Sequence, residues 1–379
     1  AMVTNSWVAV EPSDDGYEDD APDHYWYYFG SNGRAYKASD SSDGLSIRTI
    51  NGKKYGFDND SRMVYGFVQD DGTKNTDENP FEDALYYFGD SDDGAMHTGW
   101  LQYMDGSDLT SSTGKEYSDM SEMWFYFSTS NGKMVKSEPG KDLKTQNYNG
   151  NKYAFDEMGV MVYEWNDALA TSSATTSGVR YFSDETDGHI QRRQWVYAVP
   201  SEEIDADDYD DEQYRWFYTD SQGDTYKNEI KKINGKKYLF NEVGIMQSGL
   251  QWVDADDLDD VDIDTSDDIK DTSTDIITYN DPNYDLYYFS DNEETDGSMK
   301  TGKNIQIELD DDTFTFGFKT NGQAYNYNRV DSKGKLEGLT DKKIYINGIL
   351  QKADSDMRYT LIDGSLLDAS LVQIIYEMM

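Results

Sequence analysis

Aromatic side chains at regular intervals are the residues of this sequence best suited to bind a ligand. Three tryptophans recur in similar surroundings, and a tyrosine follows each of them two places later: Trp26 and Tyr28, Trp124 and Tyr126, Trp216 and Tyr218. A sugar pyranose has an apolar face and a rim of hydroxyl groups, so a flat aromatic ring beside polar side chains can bind it. Several converging rings can instead enclose a cation.

Internal repeats must position these residues, because three related signatures alternate along the chain. Signature a reads YWYYFGSNGRAYK at 25–37 and recurs at 123–136, 215–227 and 314–326. Signature b reads INGKKYGFDNDSRMVYGF at 50–67 and recurs at 148–165, 233–249 and 339–352. Signature c reads LYYFGDSDDGAMHTGW at 85–100 and recurs at 179–195 and 286–302. The order is a-b-c three times and then a-b, with Thr315 where the fourth a-tryptophan would stand.

Each signature consists of a short β-rich run, a glycine-containing turn and a second run, which indicates a β-hairpin. The count predicts an all-β array of about eleven β-hairpin repeats, either solenoid-like or folded into lobes by long acidic inserts. We expect the array to cover 1–352, with super-repeats at about 7–100, 101–195 and 196–302 and a partial one at 303–352. The segment 353–379 has no copy and is predicted to be a short C-terminal cap, which an open stack needs.

Alignment of the copies predicts which hairpin face is buried. The second and fourth places of the first run are aromatic nearly everywhere, whereas the first and third places vary, and strand side chains alternate between faces. We therefore expect the a-signature tryptophans to point outward or into grooves between hairpins, with further tryptophans at hairpin ends beside them. The predicted ligand-binding residues are Trp26, Tyr28, Trp100, Trp124, Tyr126, Trp165, Trp195, Trp216, Tyr218 and Trp252. Arg180 and Thr219 break the pattern, since each occupies a place where a core aromatic is expected.

Composition excludes several partners. The 379 residues contain 33 Lys+Arg and 75 Asp+Glu, a formal charge of −42. The chain therefore has no basic stripe that could bind nucleic acid or an anionic membrane surface. The 31 Tyr, 15 Phe and 8 Trp indicate an aromatic core rather than a disordered acidic chain. The chain has no cysteine, which excludes disulfides and thiolate metal sites, and no apolar run long enough to span a membrane.

Acidic inserts at 11–23, 202–213 and 254–275 are predicted to be loops. Oxygen ligands alternate at 90–94 and 254–264, so structural calcium is one alternative, but neither segment has the Gly at position six and Glu at position twelve of an EF-hand loop. A solvated, self-repelling loop is the other alternative. His24, His97 and His189 sit at different offsets in their repeats and are interpreted as isolated surface residues, so the sequence predicts no enzyme and no cofactor.

These motifs resemble the cell-wall-binding and glucan-binding repeats of Gram-positive surface proteins, a group that includes choline-binding modules, glucansucrase glucan-binding domains and clostridial toxin repeats. The resemblance covers about 7–352 and rests on Thr98-Gly99-Trp100 leading to Trp124-Phe125-Tyr126-Phe127 and Asn131-Gly132-Lys133-Met134, and on INGKKYLFNEVGIMQSG at 233–249. It implies a secreted or cell-surface, non-catalytic binding module that is part of a larger surface protein. The acidic inserts replace connectors that are only a few residues long in that group.

The resemblance leaves three partners open. Its glucansucrase and toxin members make an α-glucan such as starch or dextran the leading ligand, bound at several sites. The alternative is choline on teichoic acid, held in cages of three aromatics. Lys54, Lys152 and Lys237 oppose that alternative if they face the cage, because an ammonium group repels a cation. A protein-adhesion scaffold that presents the acidic loops is the third hypothesis.

Overall fold

A computed structural model describes residues 2–12, 22–38, 44–74, 80–103, 123–141, 143–165, 179–292, 296–326, 339–340 and 343–351. The chain divides into two compact units. Unit 1 comprises Ala1–Ser172 and Tyr181–Gln191, and unit 2 comprises Ser173–Arg180 and Arg192–Met379. Within the described residues, no helix has the length and apolarity needed to cross a membrane.

Unit 1 consists of antiparallel strand pairs, in which β1 pairs with β2, β3 with β4, and so on to β11 with β12. Its strands are β1 Ser6–Val10, β2 Tyr25–Phe29, β3 Ser46–Ile50, β4 Lys53–Phe57, β5 Gly66–Val68, β6 Tyr86–Phe88, β7 Gly99–Tyr103, β8 Met123–Phe127, β9 Lys144–Tyr148, β10 Asn151–Phe155, β11 Glu164–Trp165 and β12 Tyr181–Phe182.

Unit 2 contains wider sheets. The pair β13-β14 is followed by the three-stranded sheets β15-β16-β17 and β19-β18-β20 and by a five-stranded sheet in the order β21-β22-β25-β24-β23. Its elements are β13 Trp195–Ala198, α1 Ala206–Asp210, β14 Arg215–Tyr218, β15 Glu229–Ile233, β16 Lys236–Phe240, β17 Met246–Gln247, β18 Gly249–Asp257, β19 Asp260–Ile263, α2 Ser273–Thr278, β20 Asp285–Phe289, β21 Gly302–Leu309, β22 Asp312–Phe318, β23 Leu339–Thr340, β24 Lys343–Ile346 and β25 Ile349–Leu350.

The β-hairpin array predicted from the repeats is confirmed, since each of the eleven signatures supplies a strand to an antiparallel pair. The pairing differs from the prediction in one respect. In most signatures the aromatic run pairs with a strand upstream of it, and the run after the glycine turn forms only a single bridge, such as Phe57 with Met63. In the last two b-signatures that second run instead forms a strand, β17 or β25, which pairs with the run before it. Upstream pairing matters for the site, because it brings Trp7 on β1 directly opposite Tyr28 on β2.

Successive hairpins are held together by methionines that pack on glycines. A Cβ atom added to Gly132 would lie 2.3 Å from Sδ of Met96, which belongs to the preceding repeat, and Gly132 has φ +77°. The same contact recurs within each unit: Met63 with Gly94, Met134 with Gly159, Met161 with Gly188, Met246 with Gly297 and Met299 with Gly322. These glycines therefore allow close approach of the neighbouring repeat, and all of them except Gly297 also adopt a left-handed backbone.

The predicted one-sided burial is wrong, because many strands pack on both faces. Phe125 and Phe127 pack with Phe67 of the preceding hairpin, whereas Tyr126, between them on the opposite face, packs with Phe155 of the following hairpin. Tyr126 is only 5% exposed, and the equivalent Tyr28 is also buried, although both were predicted to point outward or into grooves. A strand stacked between two neighbours has no free face.

Arg180 and Thr219, the two residues that break the aromatic pattern, form polar contacts instead. Arg180 forms an ion pair with Asp224, with 2.7 Å between Nε and Oδ1. Thr219 is fully buried, and its hydroxyl donates to the carbonyl of Gln194 at 3.3 Å. Polar contacts with Asp224 and Gln194 thus take the place of ring packing at these two positions.

The prediction of loops is wrong for two of the three acidic inserts. The segment 202–213 contains α1, whose Asp208 receives two 2.6 Å hydrogen bonds from Arg215. The segment 254–275 contains the end of β18, all of β19 and the start of α2. In β19 the apolar Val261 and Ile263 alternate with Asp260 and Asp262, and Val261 is buried. Most of 11–23 and the predicted cap at 353–379 lie outside the described residues.

Candidate functional site

Three aromatic clusters, one at each of the first three a-signatures, form the candidate site. In each cluster a central tryptophan comes from the strand that pairs with the aromatic run of signature a, which is β1, β7 or β13. The aromatic run itself contributes an outer tryptophan and a tyrosine, and the aromatic run of the following signature b contributes a second tyrosine. Cluster 1 is Trp7, Trp26, Tyr28 and Tyr55; cluster 2 is Trp100, Trp124, Tyr126 and Tyr153; cluster 3 is Trp195, Trp216, Tyr218 and Tyr238.

The three clusters have nearly the same geometry. In cluster 1 the ring centroid of Trp7 lies 6.4 Å from that of Trp26, 5.1 Å from Tyr28 and 4.9 Å from Tyr55. The corresponding distances are 6.3, 5.2 and 4.8 Å in cluster 2, and 6.0, 5.1 and 4.8 Å in cluster 3. The two tryptophans meet at 89°, 83° and 89°, so their rings form adjacent walls.

Strand register explains the arrangement. Trp7 lies opposite Tyr28 and Ala9 lies opposite Trp26, so the four side chains share one face of the β1-β2 pair. Trp7 and Trp26 are then diagonal cross-strand neighbours, which large rings can bridge. The next hairpin covers this face and contributes Tyr55, the third wall.

Cluster 1 lines an open cavity of about 190 Å³. Aromatic rings and a thioether line its base, and two carboxylates stand at its rim; the lining residues are Trp7, Trp26, Tyr55, Met63, Asp92 and Asp93. Met63 is held there because its backbone N–H donates to the carbonyl of Trp26 at 2.8 Å. The cavity therefore combines an apolar interior with a polar opening.

The rim of cluster 1 is acidic but partly neutralised. Asp92 accepts a 3.4 Å hydrogen bond from Nε1 of Trp26 and lies 3.1 Å from Nε2 of His24. Asp93 lies 3.3 Å from Nζ of Lys53. Both carboxylates are more than half exposed, so they act on a ligand that approaches from solvent.

A turn carboxylate fixes that rim. Oδ1 of Asp90 accepts hydrogen bonds from the backbone N–H groups of Asp92 and Asp93, at 2.9 and 2.8 Å. These two bonds hold the pKa of Asp90 below its usual value, and the bond from Asp93 has the larger effect. Because Asp90 stays ionised, the turn keeps both rim carboxylates at the cavity mouth.

Cluster 3 has a more basic rim. Asp296 accepts from Lys236 at 3.1 Å and also pairs with Lys300. Burial alone would raise the pKa of Asp296, but hydrogen bonds from Lys300, Ser298 and Lys236 hold it well below its usual range. The outer Trp216 is also covered on one face by Tyr197, whose ring is stacked 4.6 Å away.

The structure brings together eight of the ten predicted ligand-binding residues. They are Trp26, Tyr28, Trp100, Trp124, Tyr126, Trp195, Trp216 and Tyr218. Trp165 pairs with Tyr181 outside the clusters. Trp252 is a core residue, 1% exposed, stacked 3.9 Å from Tyr279 and donating to the carbonyl of Ile269, so it offers no surface to a ligand.

Sequence reasoning missed Trp7 and the third-wall tyrosines. Trp7 precedes Trp100 by 93 residues and Trp195 follows Trp100 by 95, so the repeat spacing was a usable signal. Tyr55 and its equivalents were assigned to the core face, because the hairpins were treated singly. Their role depends on packing between neighbouring hairpins.

The three histidines do not share a site. His24 lies beside cluster 1, Nδ1 of His189 lies 2.7 Å from Asp187, and Nε2 of His97 contacts the carbonyl of Trp100 at 2.8 Å. Among the residues that the structure describes, no three or more acidic or histidine side chains are grouped so that they could hold a metal ion.

Neither a scan of protein-family models nor a search of curated proteins finds a match to this sequence. Among solved structures, the chain is similar to the modular autolysin LytC of Streptococcus pneumoniae in complex with a synthetic peptidoglycan ligand, at 15% identity and a TM-score of 0.41. That match covers 92% of this chain and 53% of LytC, so the chain spans about half the length of that protein.

Two further solved structures are similar to it. CbpJ of the same bacterium shows 16% identity and a TM-score of 0.32, with 91% of this chain and 100% of CbpJ covered. Alternansucrase in complex with isomaltononaose shows 15% identity and a TM-score of 0.22, and the match covers 82% of this chain and 18% of alternansucrase. Choline-binding proteins and a glucansucrase are the groups that the sequence motifs resemble. Since these TM-scores lie below 0.5, the ligand chemistry of this chain has to follow from its own residues.

Proposed function

We propose that this chain is a non-catalytic, extracellular binding module, part of a larger surface protein, that attaches to a bacterial cell-wall polymer through the polymer's quaternary ammonium groups. The observation that carries this proposal is the cavity of cluster 1, where Trp7, Trp26 and Tyr55 form walls beneath the carboxylates of Asp92 and Asp93. Clusters 1 and 3 are the proposed cation sites.

The shape of the cluster favours a compact cation over a flat sugar. A pyranose needs one open ring face, whereas a quaternary ammonium ion gains from several rings at once, each worth about 0.5–2 kcal/mol. Trp26 and Tyr55 meet the central Trp7 at 89° and 66°, which is suited to surrounding a rounded group. At cluster 1 the rim carboxylates add attraction for positive charge, whereas cluster 3 relies on its rings, because Lys236 and Lys300 offset Asp296.

The lysines that opposed a cation do not face the cavity. Tyr55 and Phe57 both contact Trp7, so alternation along β4 directs Lys54 to the other face. Gly56 on that other face approaches Val64 instead. The lysine that shares the cluster face is Lys53, and its charge is offset by Asp93.

Repetition of the cluster supports binding to a polymer. Sites that are individually weak reinforce one another when their ligand repeats along one chain, since the second contact is intramolecular. The net charge of −42 opposes an anionic polymer beyond the local contacts, so we expect retention to improve as salt screens that repulsion.

The α-glucan favoured by the sequence is the second candidate. It is supported by cluster 2, where Tyr148 is 37% exposed and adds a further ring beside Trp100. Starch or dextran would then be the polymer.

Retention of the purified chain on a tertiary-amine resin, granular starch and cross-linked dextran tests these alternatives. Because so acidic a chain binds amines by charge alone, the eluents are choline chloride and sodium chloride at equal ionic strength. We expect choline to release the chain where sodium chloride does not, and Trp26→Ala with Trp216→Ala to abolish the difference. Tyr209→Ala, which removes an exposed ring outside the clusters, is the matched control. Equal elution by both salts would contradict the proposal.

A further inference from the structure

Three aromatic rings form a stack on the β13-β14 pair, at the outer side of cluster 3. The ring of Tyr197 lies in the middle, 4.6 Å from Trp216 at 28° and 5.2 Å from Tyr214 at 36°. Tyr197 is directly opposite Trp216 in the strand register, and Tyr214 precedes Trp216 by two residues, so the three side chains share one face. We call Tyr214, Tyr197 and Trp216 the ring ladder.

The outer part of the ring ladder is exposed to solvent. Tyr197 is 51% exposed and Tyr214 is 55% exposed, and they contact one another. In clusters 1 and 2 the place of Tyr197 is taken by Ala9 and Gln102, so the packing of the repeats does not require a ring there. Single exposed rings are ordinary on a protein surface, whereas adjacent exposed rings are typical of a surface that binds a partner.

The acidic connector between β13 and β14 lies beside the ring ladder. Residues 202–213 contain eight acids and no lysine or arginine. Two of the acids have structural roles, since Asp208 pairs with Arg215 and Asp205 accepts from the backbone N–H of Asp208 at 3.1 Å. Because Arg215 directly follows Tyr214, the ion pair fixes the connector at this end of the ring ladder. The other six acids are exposed: Glu202, Glu203, Asp207, Asp210, Asp211 and Glu212.

The geometry of the ring ladder favours a planar cation. Its rings are close to parallel and do not surround a guest, unlike the tryptophans of cluster 1, which meet at 89°. Tyr214 ends the stack and is the more exposed of the two tyrosines, so its outer face is available. A guanidinium group is planar and stacks on aromatic faces, whereas a lysine ammonium is compact and strongly hydrated. A pyranose can also stack on a ring, but it gains nothing from six carboxylates.

We propose that the ring ladder and the acidic connector form a docking surface for a protein partner, and that they bind an extended segment of the partner that carries arginine side chains. One guanidinium stacks on Tyr214, and the carboxylates of the connector attract it and neighbouring basic residues. The inference goes beyond the proposed function, because it assigns a protein ligand to a surface outside the aromatic cages. Trp216 separates the two sites, since Trp195 meets it edge-on and Tyr197 covers one of its faces.

The test compares two blocked hexapeptides of equal charge, in which glycine alternates with arginine or with lysine. Each is titrated into the full chain, and its Kd is read from the indole N–H resonance of Trp216, which a Trp216→Phe variant assigns. Because so acidic a chain attracts both peptides, the preference for arginine over lysine is the signal. We expect the arginine peptide to bind about threefold more tightly.

Variants of the ring ladder separate stacking from charge. Tyr214→Ala should abolish the arginine preference and leave the charge-driven binding, whereas Tyr214→Phe should keep the preference because it keeps the ring. Tyr209→Ala, which removes an exposed ring from the same connector outside the ring ladder, is the matched control. Equal Kd values for the two peptides in the unchanged chain, or a preference that survives Tyr214→Ala, would overturn the inference.

Two further measurements locate the peptide. Asp210→Asn, Asp211→Asn and Glu212→Gln together should weaken both peptides by about fivefold at low salt and less at high salt; unchanged affinity would contradict the role of the connector. Choline chloride and sodium chloride at equal ionic strength should weaken the arginine peptide equally. Stronger competition by choline would place the peptide in cluster 3, which would overturn the inference yet leave the proposed function standing.

Discussion

Replacement of Gly94 by alanine tests the coupling between the repeat contacts and cluster 1. Gly94 has φ +55°, and an added Cβ would lie 2.3 Å from Cε and 2.4 Å from Sδ of Met63. Met63 is 5% exposed and lines the cavity, so its displaced thioether has the cavity as the nearest free space. We expect the variant to fold and to lose ligand binding at cluster 1.

The magnitude follows from two contributions. A left-handed alanine costs about 1–2 kcal/mol, and overpacking adds about 1–3 kcal/mol, with the lower end expected because methionine is flexible. Gly52→Ala is the matched control, since Gly52 has φ +85° and nothing within 4 Å of the added atom. Gly94→Ala should therefore lower the free energy of unfolding by about 1 kcal/mol more than Gly52→Ala does.

Urea unfolding, with choline titration followed at Trp26, measures both effects. Met63→Ala in the Gly94→Ala background should remove the excess destabilisation, because it removes the clash. Equal stabilities of Gly94→Ala and Gly52→Ala, together with normal choline binding by both, would refute the packing argument.

Two other perturbations test the rim and the core. Asp92→Asn with Asp93→Asn should weaken choline binding at cluster 1 by about tenfold at low salt and less at high salt, since about 1.4 kcal/mol of screened attraction is lost; no loss in a calorimetric titration at low salt would contradict this. Burial, followed by the charge of Asp285, raises the pKa of Tyr287 from 10.0 to about 12. The folded chain thus holds this proton more tightly, so about 3 kcal/mol of stability is present below pH 10 and is lost as pH rises to about 12. Thermal melts of Tyr287→Phe should lose part of this alkaline decline, and a decline identical to that of the unchanged chain would be inconsistent with it.

The repeats made the hairpin array and the recurring outer tryptophans predictable. A copy number and a periodic aromatic pattern are local properties of sequence, so Trp124 and Trp216 could be identified as equivalent before the fold was known. The third wall was not predictable in this way. Tyr55 joins Trp7 and Trp26 only because the following hairpin packs against that face.

The structure of the acidic inserts, which have no copy elsewhere in the chain, could not be predicted from the repeats either. The acids around Val261 and Ile276 outnumber the apolar residues, so composition suggested a loop, although both side chains are buried. Their packing also explains Trp252, which α2 and the segment before it cover. A repeat comparison carries no information about residues that have no copy.

A crystal structure of the full chain grown in choline chloride tests the central claim most directly. The account predicts a choline nitrogen within about 6 Å of the ring centroids of Trp7, Trp26 and Tyr55, with a second choline in cluster 3. Empty clusters 1 and 3 at a saturating choline concentration, or choline bound only elsewhere on the chain, would contradict the account.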